Sequence, residues 1–353
     1  MIYFNTVKLY LLLILFSTSI ISCEKEKEKE ILGDWIQAKS LNIDGFYGGV
    51  VFQIGNETYV GTGYNDNEQF RSSDFYMTID GISWTQVASL PEGVLKRDEA
   101  VAFSVDGKGY VGLGRGLINE GTPLAEYIDL IDFYEYSPET NTWRQVADFP
   151  GIARRGAIAF SLGGKGYVGG GYTSENKTTK TFYEYDPIND EWTERSPILG
   201  SQSNTYASCF VINEEAFVVG GISDDGVMSN ELVKYNSKTN SWSELNKVTN
   251  THVDKSFDNK YTIPRYNAAS FAINGKGYLV GGRGLTSISN EVWEYDPVKD
   301  RWIEKTSFEG NLRYGAVGYS IGNYGYMGTG SNGLYSFSDF WRFDPTVEYN
   351  KLW

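Results

Sequence analysis

Lys165-Gly-Tyr-Val-Gly-Gly-Gly171, followed by Tyr183-Glu-Tyr-Asp-Pro187 and then by Trp192, is the stretch on which the fold turns. Its first part is short, apolar and rich in glycine. Its second is an aromatic β-type run stopped by Asp-Pro, a turn signal. Working outward, the segments ETYVGTG, KGYVGLG, KGYVGGG, EAFVVGG, KGYLVGG and YGYMGTG place an aromatic residue at Tyr59, Tyr110, Tyr167, Phe217, Tyr278 and Tyr326. The spacings are 51, 57, 50, 61 and 48 residues. Tryptophan recurs in step at Trp35, Trp84, Trp143, Trp192, Trp242 and Trp302. Such a period marks units that pack only on their neighbours, which lets 353 residues avoid a single oversized core.

Each unit reads as four short strands. In the second, residues 99–105 form strand a, 109–114 strand b, 131–136 strand c and 143–146 strand d. Asp106-Gly-Lys-Gly109 is a tight a–b hairpin, and Ser137-Pro-Glu-Thr-Asn-Thr142 a proline-led c–d turn. Units starting near 46, 153, 204, 265 and 313 fit the same layout. Over residues 33–345 the chain resembles Kelch-repeat proteins. The resemblance implies an all-β, six-bladed Kelch-type propeller with four-stranded blades. Some units depart from the motif: the fourth has Phe217 for tyrosine and Asn236-Ser237 for Asp-Pro, and the first reads Ile79-Asp-Gly-Ile-Ser-Trp84. The glycines are expected to place strand b near the crowded axis. The tryptophans and strand-c tyrosines should fill the wider outer gaps. Trp35-Ile-Gln-Ala-Lys-Ser-Leu41 matches Trp84-Thr-Gln-Val-Ala-Ser-Leu90 yet precedes the first strand a. It is expected to close the last blade beside 337–344; Trp353 is the alternative.

Residues 9–21 are almost wholly apolar and too short to span a bilayer, the dimensions of a signal-peptide core. The run ends in Ile20-Ile21-Ser22-Cys23, which resembles the lipobox of bacterial lipoproteins. That resemblance implies a signal peptide over 1–22 and a bilayer anchor through acylated Cys23. The charged run Glu24–Glu30 reads as part of a solvated tether over 23–32, leaving 33–353 as one propeller. Lys25, with no aspartate at 24, points to the outer membrane, facing the periplasm or the outside.

The net charge of −14 argues against nucleic acid as a partner. Kelch propellers include copper-radical oxidases, whose copper needs two histidines and a crosslinked cysteine. With His252 its only histidine, this chain cannot build that centre. No zinc-spaced Cys/His cluster appears, and no cofactor is expected. Cys209 reads as a small buried strand residue. The acidic runs Asn65–Glu68 and Asp224–Gly226 read as solvated turns before calcium loops.

Strand alternation puts the a–b and c–d turns on one face and the longer b–c and d–a loops on the other, where binding usually resides. Six residues before the strand-a aromatic stand Phe46, Arg97, Arg154, Asn204, Arg265 and Arg313. The next position holds Tyr47, Asp98, Arg155, Thr205, Tyr266 and Tyr314, and strand b is followed by Tyr64, Arg115, Tyr172, Ile222, Arg283 and Ser331. Arginine offers carboxylate a planar fork, and tyrosine offers a sugar ring a flat face. These residues therefore suggest a ligand site at one channel mouth. The Kelch resemblance implies a competing role for the arginines before strand a, bonding loop carbonyls, so Arg115 and Arg283 stand out. The expected function is a binding module for a glycan, a small anionic ligand or an envelope protein. The alternatives are a scaffold without a ligand site, or a sugar mutarotase similar to N-acetylneuraminate epimerases, with Asp98, Glu99 or His252 moving protons.

Overall fold

The computed structural model describes residues 31–200, 205–248 and 262–349. Cys23, Asn204, His252, Trp353 and the leader lie outside them. The described residues contain no helix. Six antiparallel four-stranded sheets follow one another, each ordered a-b-c-d. The six strands a are Val50–Ile54, Val101–Val105, Ile158–Leu162, Ser208–Ile212, Ala269–Ile273 and Val317–Ile321. The ring closes as expected: Leu32–Gln37 pairs antiparallel with Phe340–Glu348, with Trp35 opposite Phe343. Trp35 is 1% exposed, its ring centroid is 5.0 Å from Phe308, and its indole N–H donates to the Thr306 carbonyl at 3.3 Å. The first and last parts of the domain are thereby stitched into one sheet, which gives the last blade its fourth strand and closes the ring.

The glycines do a different job from the one expected. Strand a, not strand b, lines the axial channel, with Val51, Ala102, Ala159, Cys209, Ser270 and Gly318 along its wall. The strand-a aromatic points back between blades and stacks on its own strand b, as Phe103 does on Tyr110 at 5.1 Å. Its far edge enters strand b of the next blade. A Cβ on Gly166 would lie 2.1 Å from Phe103 Cε2, and one on Gly109 2.2 Å from Phe52 Cε2. Glycine is there to admit a neighbour's ring.

The tryptophans fill the outer gaps as expected. Trp143, Trp192 and Trp242 donate their indole N–H to Ala88, Ala147 and Ser196 of the preceding blade at 2.8, 3.0 and 3.0 Å. A second latch comes from the c–d turn. Asn141, at φ 51°, accepts from the Ala88 amide at 2.8 Å and from the Tyr136 hydroxyl of its own blade at 2.8 Å. Asp190, Asn240 and Asp300 repeat this arrangement one blade on each time.

Candidate functional site: the channel mouth

The turn before each strand a carries one residue in the left-handed region: Gly48, Glu99, Gly156, Tyr206, Asn267 and Gly315, with φ of 53–62°. Each donates its amide to the carbonyl of the preceding one, at 2.7–3.0 Å, and Gly48 closes the circle on Gly315. A ring of backbone hydrogen bonds thus encircles the channel mouth, around a cavity of about 120 Å³. Three members are glycines, which this conformation suits. Glu99, Tyr206 and Asn267 hold side chains there at a cost of about 1 kcal/mol or more each, the kind of strain that clusters at functional sites.

Outside this ring the aligned positions meet as antiparallel bridges: Tyr47 with Tyr64, Asp98 with Arg115, Tyr266 with Arg283, Tyr314 with Ser331 and Arg155 with Tyr172. The b–c loops beyond them fold into small hairpins. One pairs Tyr64–Asn65 with Phe70–Arg71, and another pairs Arg115–Ile118 with Glu126–Asp129.

On one side of the mouth every charge is matched. Asp98 is wholly buried and takes bonds from Arg71 (Nε at 2.9 Å) and Arg115 (Nη2 at 2.8 Å). Burial alone would lower Arg115, but its bond to Asp98 outweighs this and raises its pKa. Both guanidiniums sit over the Tyr127 ring, at 4.8 and 5.3 Å. Arg155 Nη1 is 2.8 Å from Asp129 Oδ1, and its Nε is 3.3 Å from Glu99 Oε2. The Tyr206 hydroxyl donates to Glu99 Oε2 at 2.7 Å across Gly156. Burial, then Asp98, pushes the Glu99 carboxyl up; burial, then Glu99, pushes the Tyr206 hydroxyl up.

The opposite side differs. Arg283 is exposed and has no carboxylate partner among the described residues. Its guanidinium lies over the Tyr314 ring at 4.8 Å. Tyr314 leads to Tyr47 at 5.7 Å, and Tyr47 to Tyr64 at 5.8 Å, a tyrosine arc from Arg283 round to Arg71. Burial, then the charge of Asp66, raises the Tyr47 hydroxyl. Tyr266 stands 6.4 Å from Tyr206, on the same rim.

Arg97, Arg154, Arg265 and Arg313 are elsewhere. All four are buried, and their Nη1 atoms donate to the carbonyls of Leu113, Gly170, Gly281 and Thr329 at 3.3, 3.0, 3.0 and 2.9 Å. Burial pushes Arg154 down to about 10. These groups pin the b–c corners, the role the Kelch resemblance implied as the alternative to ligand binding.

Sequence reasoning missed Arg71, Tyr127, Tyr206 and Asn267. Tyr206 and Asn267 had a signal: aligned one position further on, the turn residues read Gly, Glu, Gly, Tyr, Asn, Gly, and the non-glycines mark the strained members. Arg71 and Tyr127 had none, because the b–c hairpins differ in length and share no register.

The molecule is a closed six-bladed β-propeller whose mouth combines a hydrogen-bonded backbone ring with tyrosines and guanidiniums. It is a Kelch-repeat propeller. A KLHDC2/KLHL20/DRC7 Kelch-repeats domain model matches residues 201–352. Kelch-like protein 24 of Rattus norvegicus is 33% identical over 138 residues, 39% of this chain and 21% of that protein. Kelch-like protein 25 of Xenopus tropicalis is 28% identical over 257 residues, 72% of this chain and 40% of that protein. N-acetylneuraminate epimerase of Pasteurella multocida is 34% identical over 145 residues, 40% of this chain and 34% of the enzyme. The chain thus spans well under half the length of these relatives. A solved structure titled "Structure of YjhT" shares the fold with a TM-score of 0.69 at 17% identity, covering 86% of this chain and 95% of that one.

Proposed function

We propose that this protein is a binding module that holds a carboxylate-bearing ligand of sugar size at the channel mouth. The observation that carries the reading is the asymmetry of the rim cations. Arg71, Arg115 and Arg155 are each matched to aspartate, whereas Arg283 is exposed over Tyr314 and unmatched among the described residues. An unmatched guanidinium beside aromatic faces suits a carboxylate on a ring, the one offering a bidentate fork and the others an apolar platform. The Kelch fold, an interaction scaffold, agrees with a binding role. A glycan array probed with the protein tests it: acidic sugars should be retained and their neutral counterparts should not. Retention of neither, or of neutral sugars alone, would refute it.

One observation favours a second reading, an anomer-exchanging enzyme. Beside the partial similarity to N-acetylneuraminate epimerase, the mouth holds a carboxyl shifted toward its neutral form, Glu99, bonded to the Tyr206 hydroxyl. Such a pair can pass a proton to and from a ring oxygen. Proton NMR of N-acetylneuraminate would then show anomer exchange accelerated by the wild type and not by Glu99→Gln; equal rates would exclude it.

The leader supports display at the cell envelope, with acylated Cys23 in the outer membrane and residues 23–32 as the spacer. Metabolic labelling with a palmitate analogue in a bacterial host should mark the wild type and not Cys23→Ser. Labelling of both, or of neither, would remove this part of the proposal.

A further inference from the structure

A second cavity, of about 240 Å³, lies in the first blade, away from the ring of turn residues that rims the channel. Asp44, Phe46, Asn65, Phe70, Asp74 and Tyr76 are among the residues that line it. Its meaning comes from the other blades. In the second, third, fifth and sixth, this part of the repeat holds the buried guanidinium of Arg97, Arg154, Arg265 or Arg313. Three features hold that group. A carbonyl sixteen residues on accepts from Nη1. A side chain just before strand c takes a further bond: Asp132, Thr181, Glu291 or Asp339. Among the described residues an aromatic ring packs on the guanidinium in three of these blades, as Tyr134 does on Arg97 at 5.5 Å.

The first blade keeps this cradle and lacks the arginine. Phe46 occupies its position, and the phenyl ring lies against Gly49 and Gly63, where an added Cβ would meet it at 2.6 and 2.7 Å. Thr62 stands where Leu113 and its counterparts stand. The Thr62 amide donates to the Asp74 carbonyl at 3.1 Å, just as the Leu113 amide donates to Asp132 at 3.2 Å. Asp74 therefore corresponds to Asp132 and Asp339, and Tyr76 to Tyr134. Asp132 and Asp339 each accept two guanidinium N–H groups. Asp74 accepts one side-chain bond among the described residues, from the Ser89 hydroxyl to Oδ1 at 2.6 Å. Asp44 is exposed and adds a second carboxylate to the wall. Two carboxylates and three aromatic rings suit a flat cation and repel an anion.

We propose that this cavity binds a guanidinium group supplied from outside the chain, seated on Tyr76 and bonded by Asp74, so that the ligand completes the first blade as arginine completes four others. The group could be carried by a small molecule or by an arginine of a partner protein, and the two sources are separable. Calorimetric titration of the full chain with n-propylguanidine should show saturable binding, with n-propylamine at least tenfold weaker for want of a planar fork. Asp74→Asn should weaken propylguanidine at least tenfold. Phe46→Arg should abolish binding, because the chain's own guanidinium would then fill the cradle. An N-acetylated, amidated Gly-Arg-Gly peptide binding tenfold more tightly than propylguanidine would assign the source to a protein segment; equal or weaker binding would assign it to a small molecule. No saturable binding of either probe would overturn the proposal, as would equal affinity of propylguanidine for wild type and Asp74→Asn. Circular dichroism reports whether Phe46→Arg folds; if it does not, the Asp74→Asn comparison alone decides.

Discussion

Replacing Trp35 by alanine tests how the ring is held shut. The side chain is 1% exposed, packs edge-on against Phe308 at 5.0 Å and lies 4.8 Å from Phe343. Truncating a buried aromatic to alanine costs about 3–5 kcal/mol. The lost indole bond to Thr306 adds about 1 kcal/mol. Taking about 5 kcal/mol together, and an unfolding entropy of about 2.1 cal/mol/K per residue over roughly 320 residues, Tm should fall by about 7 °C. Differential scanning calorimetry of Trp35→Ala beside Ile36→Ala supplies the comparison, since Ile36 is a 39% exposed neighbour on the same strand. If Trp35→Ala melts within 1 °C of the wild type while Ile36→Ala does the same, the strand does not close the propeller in solution.

Gly166→Ala would bring a methyl within 2.1 Å of the Phe103 ring, and should lower stability by about 1–3 kcal/mol in urea unfolding; an unchanged midpoint would show that the ring has room to move. Asn267→Gly relieves a left-handed φ of 53°, so it should leave Tm unchanged or raise it while weakening ligand retention; a lower Tm would argue against strain at the mouth. Glu99 should shape the pH dependence. Its carboxyl is raised, first by burial and then by Asp98, so the folded protein holds this proton more tightly than the unfolded chain. That contribution is full below the ordinary carboxylate range, about pH 4, and is lost as pH rises through the folded value. Tm of the wild type should therefore fall relative to Glu99→Gln as pH rises above about 4, and parallel curves would contradict the assignment.

Blade number, strand order and closure were legible in the sequence because each rests on a repeated local pattern. The tryptophan before the first strand a matched five others, and its pairing followed from counting. The role of the strand-b glycines was misplaced because it depends on a ring in the preceding blade: nothing beside Gly166 names Phe103, 63 residues earlier, as the ring it must admit. The rim followed the same rule. Tyr47, Arg115, Arg155, Arg283 and Tyr314 could be aligned by their distance from strand a, and the structure brings them together at the mouth. Their charge states could not be aligned. Whether an arginine is matched depends on Arg71, Asp129 and Tyr127, which sit in hairpins of unequal length and meet the rim only after folding. The arginines before strand a shared one column with Phe46 and Asn204, and the departure at Phe46, invisible as a site in the sequence, became a cavity.

Under the proposed function Arg283 is the ligand's anion clamp. The direct test is isothermal titration of the retained acidic sugar against wild type, Arg283→Ala and Arg342→Ala, the last being an arginine over Tyr324 in the sixth blade's sheet and outside the mouth. A charge-assisted bond of about 1.5–3 kcal/mol predicts a loss of roughly tenfold to a hundredfold for Arg283→Ala. Arg342→Ala should match the wild type. Equal affinity of Arg283→Ala and wild type would rule out Arg283 as the clamp.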